Sequence, residues 1–405
     1  MIRGKIGRLS IMNSNEEIEP GRDPALSAEG NEWPISPTEK PSAAPWIGLD
    51  IGGANLKAAH SSGWSNSLAF PMWKQPETLA MGIAQLLEDA PAFIGVGVTM
   101  TGELADCFAT RAEGVLRILE QTTLILPASM VRIYGVDGQW RTPSAAARVP
   151  WTVAASNWHA LARRIGATYP TGMSLLVDIG STTTDLIPIV DGNIAIDAAT
   201  DSQRMQCGAL VYTGIERSNV AAIVQRVPLY GSLCPVMNES FATSRDVHVW
   251  LGDMPEDPSD CDTSDGQSAN RFGARHRLAR IVGEDGSTLA DEDIDAIARC
   301  IRNEQASLIS RAMQQVCSMS RTEKGKSDSS KLSNKRQKST AGERLIPDRI
   351  IVCGHGGFLL EDALQLAAWN IPKLEWSKML GEGLSRCAPA YAIAVLAQKQ
   401  LDYLA

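Results

Sequence analysis

Two stretches of the chain follow the same plan. Residues 46–59, WIGLDIGGANLKAA, and residues 175–189, LLVDIGSTTTDLIPI, each pass from an apolar strand through Asp-Ile-Gly and a small or hydroxylated cluster into a second strand. Apolar runs that flank a glycine-bearing turn are the pattern of a tight β-hairpin. In the first stretch the strand ends at Asp50, and Gly52 with Gly53 is expected to supply the positive φ angles or the close backbone approach of the turn. In the second, Asp178 and Gly180 take those places, Ser181, Thr182, Thr183 and Thr184 follow, and Asp185 stands where the chain re-enters a strand. Asp50 and Asp178 are 128 residues apart, close to the length of one domain, so the repeat predicts duplicated halves that face each other.

The turns carry a chemical implication. Bare backbone N–H groups in such a turn cradle phosphate oxygens, and an Asp at the strand end suits a water-mediated Mg²⁺ contact, because Mg²⁺ keeps much of its hydration. Either turn taken alone also reads as a plain hairpin built from turn-favouring residues. A third stretch, RIIVCGHGGFLL at 349–360, is a strand followed by Gly354, His355, Gly356 and Gly357 and then a helix. That composition fits close approach of backbone to a flat or phosphorylated ligand.

Between these pieces strands alternate with helices, which predicts an α/β protein. Strands are expected at 46–51, 94–99, 131–136, 174–179, 185–190 and 349–353, and helices at 153–166, 208–225, 291–316 and 388–405. Residues 236–285 read as helices joined by acidic loops that protrude from the second half. Residues 1–44, rich in Pro, Ser, Glu and Asn, read as a disordered arm. Residues 321–344, almost purely polar and basic, read as a solvated loop. The expected organisation is therefore a first domain at 45–168 and a second at 169–384, the latter carrying a helical insertion over about 236–318. A final helix, 385–405, returns to the first domain.

With 44% hydrophobic and 21% charged residues the chain falls in the soluble globular class. A net charge of -8 argues against a polyanion-binding surface, so no nucleic-acid partner is expected. No apolar run reaches the roughly 18 residues of a membrane span, and a cytoplasmic location follows as the default. The eight cysteines are scattered without a C-x-x-C pair, which points to reduced structural thiols.

The order of the three glycine-bearing pieces resembles the sugar kinase, Hsp70 and actin superfamily: two phosphate hairpins, then a glycine-rich adenosine segment. The resemblance implies two ribonuclease-H-like domains with a nucleotide or diphosphate cleft between them. A sugar kinase is disfavoured, since AASNWHALA (154–162) lacks the Asp that serves one kinase branch as base, and that branch's Cys-rich zinc segment is absent. Four further stretches, VGVTMTGELADCFATRAEGV (96–115), VAASNWHALA (153–162), GALVYTGIERSNVAAIVQRVPL (208–229) and NESFATSRDVHVWLG (238–252), point elsewhere. They are similar to the hydantoinase/oxoprolinase-related proteins linked to tetrahydromethanopterin-dependent C1 transfer.

That resemblance implies a transferase of methanofuran-type cofactor synthesis, joining an aminomethylfuran-methyl diphosphate to the phenol of γ-glutamyltyramine. Two other activities fit the wider superfamily, an ATP-dependent cyclic-amide hydrolase and a nucleotide-sensing subunit without catalysis. Ala54 stands where the hydantoinases proper usually carry Thr. Under the transferase reading Asp50 and Asp178 are the metal and diphosphate carboxylates, with Mg²⁺ as cofactor and ATP as a second candidate. Gly52, Gly53, Asn55, Lys57, Gly180, Ser181, Thr182, Thr183 and Arg111 are the candidate phosphate ligands. Glu103 is either the base that takes the phenol proton or an acid at a helix N-terminus. Arg111 either grips diphosphate or pairs with a nearby acid such as Glu113. Asn157 and Trp158 are candidates for the acceptor pocket, with core packing the other reading of Trp158; Arg217 and Asn219 are candidates for the γ-glutamyl end, with helix-surface contacts the other reading; and Gly354, His355, Gly356 and Gly357 are candidates for a nucleotide or substrate. His159, His248 and His276 are expected to be structural.

Overall fold

A computed structural model describes residues 45–327 and 346–401. The expected N-terminal arm lies outside the described residues, as does the expected basic loop from residue 328 onward.

The first half is a sheet of six strands: β1 (Trp46–Ile51), β2 (Asn55–His60), β3 (Ser65–Ala69), β4 (Gly95–Met100), β5 (Val131–Tyr134) and β6 (Trp140–Arg141). Their order is β3-β2-β1-β4-β5-β6; β2 and β3 run antiparallel, while β4 and β5 are parallel to β1. The second half uses β7 (Met173–Ile179), β8 (Thr184–Val190), β9 (Asn193–Ile194), β10 (Leu210–Val211), β13 (Arg349–Gly354) and β14 (Lys373–Glu375). Its order is β10-β8-β7-β13-β14, with β9 also on β8, and the directions repeat those of the first sheet. A small hairpin of β11 (Arg226–Leu229) and β12 (Ser232–Pro235) stands apart. Each half is thus a ribonuclease-H-like sheet, with a central strand bearing an antiparallel hairpin on one side and parallel strands on the other. The two sheets repeat one topology, as the paired hairpins predict.

Every residue of β1 and β4 is buried, the signature of strands covered on both faces. Part of that cover is the Ala-rich helix Ala388–Leu401, which lies on β1 so closely that a methyl group on Gly48 would overlap the carbonyl oxygen of Ala390. Small residues on both surfaces make that approach possible. The helices Ser244–Leu251, Arg271–Arg280 and Asp291–Ser327 enclose a separate apolar cluster, including Val247, Trp250, Leu278, Ile294 and Ile301. Among the described residues no helix is long and apolar enough to cross a membrane, and none of the eight cysteines is in a disulfide.

Three local expectations fail for physical reasons. No helix spans 208–225: Gly208, at φ 80°, ends the helix Asp201–Cys207, and Leu210–Val211 pair with Asp185 and Thr184 of β8 instead. A short helix follows only at Val220–Ile223. The helix expected from 153 starts at Asn157, because Ala155 adopts φ 47°, outside the right-handed helical region. The basic stretch expected as loop from 321 is helical to Ser327. Arg, Glu and Lys propagate a helix well, and polarity alone does not separate a solvated helix from a loop.

Candidate active-site cleft

The two halves place their hairpins alike. Four residues separate the closing pair Ile51–Leu56, and four separate Ile179–Thr184. The turns are pinned by the same bond: Gly52 N–H donates to Asn55 O at 3.0 Å, and Gly180 N–H donates to Thr183 O at 2.9 Å. The amides of Gly53 and Ala54 in one turn, and of Ser181 and Thr182 in the other, have no protein acceptor among the described residues. Unpaired amides are costly when buried from water, and side by side in a turn they form an anion nest.

Of the two roles expected of the glycines in the first turn, the structure shows close approach and not positive φ: neither Gly52 nor Gly53 lies in the left-handed region. Gly52 is needed for close approach, since a Cβ there would sit 2.7 Å from Asn55 O, whereas a Cβ on Gly53 would meet nothing within 4 Å. The second turn is braced from outside. Ile215 N–H donates to Gly180 O at 3.1 Å, and the amides of Glu216 and Arg217 donate to Ser181 O at 2.9 and 3.0 Å. Gly354, at φ 75°, packs on the backbone of Ile179 and is close enough that a Cβ would lie 2.7 Å from Asp178 Oδ1.

Both turns, with Lys57, Glu103, Asn157, Arg217 and the Gly354–His355 pair, line a cleft of about 500 Å³. The register puts Lys57 opposite Asp50 and Asp185 opposite Asp178. Burial, partly offset by Lys57 and reinforced by Asp185, raises the Asp50 carboxyl from 3.8 to about 6. Burial also raises Asp178 to about 6; the Asp185 and Asp50 charges add to this, while Lys57 and His355 oppose it. Asp50 Oδ1 is buried and has no hydrogen-bond partner. Hard carboxylate oxygens crowded in this way, one of them orphaned, fit a Mg²⁺ ion held by one or two carboxylates and completed by water and phosphate oxygens. Among the described residues no cluster of three or more His, Cys, Asp or Glu stands at metal-holding spacing, so a protein-only cage is not built here. His355 Nε2 lies 3.1 Å from Glu216 Oε1 and holds that carboxyl below its ordinary range.

Glu103 sits in the short 3₁₀ turn Gly102–Leu104 and is 1% exposed. Its Oε1 accepts the Ala155 N–H at 3.1 Å, and its Oε2 has no partner. Burial lifts the carboxyl from 4.5 to about 7, against the lowering pull of its own backbone N–H and of Arg111. It is thus both an acid in the first turn of a short helix and a buried carboxyl that lines the cleft. Arg111 does not line the cleft, nor does it pair with Glu113: its Nη2 meets Asp201 at 2.5 Å and its Nε lies 3.9 Å from Glu103.

The remaining residues named from the sequence do not line this cleft. Asn219 caps the helix Val220–Ile223 through Ala221 N–H and bonds Ser240, away from the cleft. Gly356 packs against Ile179 and Ile215, and Gly357 lines an adjoining chamber of about 460 Å³. Trp158 is core, 3% exposed, with the Arg204 guanidinium over its ring. His159 bonds Tyr134, His248 is buried against Gln305, and His276 packs on Phe272. The sequence reading missed several cleft residues: Trp73, Asp185, Asp201, Arg204, Tyr212 and Arg386. For Asp185 a signal existed, since it lies the same 128 residues after Lys57 as Asp178 after Asp50. Trp73 and Arg217 come from opposite halves and stack at 4.2 Å, a meeting no local pattern announces.

A family model described as hydantoinase/oxoprolinase matches residues 95–333. A Methanocaldococcus jannaschii protein named (4-{4-[2-(γ-L-glutamylamino)ethyl]phenoxymethyl}furan-2-yl)methanamine synthase is 30% identical over 359 residues, 88% of this chain and 98% of that protein. A Methanococcus vannielii protein of the same name is 27% identical over 233 residues, 56% of this chain and 92% of its own. Among solved structures, the inorganic polyphosphate/ATP-glucomannokinase from Arthrobacter sp. strain KM is 14% identical, with a TM-score of 0.39 over 88% of this chain and all of the other.

Proposed function

The chain belongs to the hydantoinase/oxoprolinase family, and we propose that within it the protein is a transferase of methanofuran-type C1-carrier synthesis. It joins an aminomethylfuran-methyl diphosphate to the phenol of γ-glutamyltyramine and releases diphosphate. The observation that carries this reading is the pair of facing turns, whose unpaired amides converge on one cleft with two strand-end carboxylates and Lys57. The relatives are named for a product in which a phenol oxygen is bonded to a furan methylene. Making that ether requires a leaving group on the methylene carbon and a base for the phenol.

The residues divide the work accordingly. The amides of Gly53, Ala54, Ser181 and Thr182 take the diphosphate oxygens, and Lys57, Arg217 and Arg386, which line the same cleft, oppose its charge. Asp50 and Asp178 would hold Mg²⁺, which when bound supplies further neutralisation of the leaving group. Glu103 accepts the phenol proton; its carboxyl near 7 suits a base at neutral pH. The phenol oxygen bonds to the furan methylene carbon as the carbon–oxygen bond to diphosphate breaks, its electron pair leaving with diphosphate. Atoms and charge balance without a covalent enzyme intermediate.

The test is diphosphate release from the purified protein given both substrates and Mg²⁺, with and without ATP, with the coupled product followed by mass. Product without ATP, lost in Asp50→Asn and Asp178→Asn proteins that remain folded, supports the reading. Absence of product alongside ATP hydrolysis in the presence of a cyclic amide refutes it.

A further inference from the structure

Five charged side chains alternate in sign from one half to the other: Asp185, Arg204, Asp201, Arg111 and Glu103. Arg204 pairs with Asp185 through Nη1 and with Asp201 Oδ1 at 2.7 Å through Nη2. Arg111 Nη2 meets the other oxygen of Asp201 at 2.5 Å, and Arg111 Nε stays 3.9 Å from Glu103 Oε1. The first three residues belong to the second half, the last two to the first.

The arrangement divides Arg111 unequally between two acids. Its short contact is with Asp201 across the halves, and its long one is with Glu103, eight positions before it in its own half. Arg111 is also the first residue of the helix Arg111–Ile125, where the helix dipole disfavours a cation, so helix stability does not account for it. Asp201 opens the helix Asp201–Cys207, where the dipole favours an acid, and a capping box of Thr200 and Gln203 fixes that helix start. Both helix starts are therefore anchored, Arg111's by Thr110 accepting from Glu113 N–H. The charged groups acting on Glu103 are Arg111 from the helix beside it and Asp201 from the opposite half. The segment before Asn157 contributes the Ala155 N–H, and Gly114 packs on the Glu103 backbone.

We propose that Asp201 is a positioning residue that holds Arg111 off Glu103, leaving the buried Glu103 carboxyl free to take up and release a proton. The inference rests on the proposed function for the role of Glu103 as base, but its geometry and its test do not require turnover. Loss of the Asp201 charge acts twice in one direction: a negative neighbour disappears, and Arg111 becomes free to pair fully with Glu103. Loss of the Arg111 charge acts the other way, leaving Glu103 facing Asp201 without a cation between them.

The experiment follows the side-chain carboxyl carbon of Glu103 against pH in the full chain labelled with ¹³C-glutamate, the signal being assigned by its loss in Glu103→Gln. In the parent protein the midpoint is expected at about 7. Asp201→Asn moves it down toward the ordinary 4.5, and Arg111→Gln moves it up. An unmoved or raised midpoint in Asp201→Asn, or an unmoved or lowered one in Arg111→Gln, overturns the proposal. Circular dichroism checks that each variant is folded; should Asp201→Asn fail to fold, the direction of the Arg111→Gln shift decides alone. In active protein the acid limb of kcat/KM moves with the carboxyl in each variant. Correct shifts without any transferase turnover would uphold the ladder and refute the reaction.

Discussion

Replacing Gly53 by Ala separates what the first turn does for the fold from what it does for a ligand. A Cβ at Gly53 meets no atom within 4 Å, and its φ lies outside the left-handed region, so the folded chain accepts a methyl there without strain. The unfolded chain meanwhile loses conformational freedom, which stabilises the protein by about 0.4–1 kcal/mol. The space the methyl enters is the cleft itself, beside the Gly53 and Ala54 amides. If those amides hold phosphate oxygens, one or two hydrogen bonds to a charged group are lost at about 1.5–3 kcal/mol each. At 1.4 kcal/mol per tenfold change, affinity for diphosphate falls roughly 10- to 100-fold or more. Calorimetric titration with inorganic diphosphate and Mg²⁺, beside thermal unfolding of the same samples, reads both effects. Parent-like diphosphate affinity in a folded Gly53→Ala protein would refute the cradle, and a marked fall in the unfolding midpoint would refute the claim that the turn tolerates a Cβ. Gly180→Ala is expected to behave the same way, its nearest protein atom being Thr183 O at 3.7 Å.

The third glycine segment should respond oppositely: in Gly354→Ala the left-handed backbone costs about 1–2 kcal/mol before the overlap with Ile179 is counted, and thermal unfolding should show a clear drop. Asp50→Asn should remove Mg²⁺-dependent diphosphate binding yet stabilise the fold at pH 7. The Asp50 carboxyl titrates near 6 in the folded chain against 3.8 ordinarily, so its ionisation penalty is complete above about pH 6 and absent below 3.8. The gain at neutral pH is at most about 3 kcal/mol, and urea denaturation across that window would show it vanish on acidification. Arg217→Ala removes the stacking on Trp73, worth about 0.5–1 kcal/mol at an exposed site, and is expected to raise KM while leaving the unfolding midpoint nearly unchanged.

The repeat was legible because a hairpin fixes both its strand pattern and its turn length within one short window. Asp50, Asp178, the turn residues and Lys57 are all local features of such windows, and all line the cleft. Glu103 was legible as an acid after a strand and a glycine, but its burial against Ala155 N–H depends on residues more than fifty positions away. For Arg111, pairing with an acid was legible as one of two readings, but the partner was not: Asp201 stands ninety positions on, in the other half. The stretch at 208–225 has an apolar pattern compatible with a helix. Pairing with β8 overrode it, as tertiary context does when propensity is weak.

The equivalence of the halves also explains why the cleft is polar in two different ways. Register makes Lys57 and Asp185 the same position in the two sheets, each opposite the strand-end Asp. A strict repeat with Lys at both places would neutralise both carboxylates and leave little for a cation to hold. With Asp at both, four acids would crowd a site that had lost its lysine, at a desolvation cost that burial of Asp50 and Asp178 already makes visible. One of each leaves Lys57 facing the two acids from the first half, while Asp185 is tied outward to Arg204 and through Asp201 to Arg111. The substitution that breaks the symmetry thus begins the chain of charges that crosses to Glu103. In this way the acid pair and the candidate base, all of which line the cleft, belong to a single electrostatic unit.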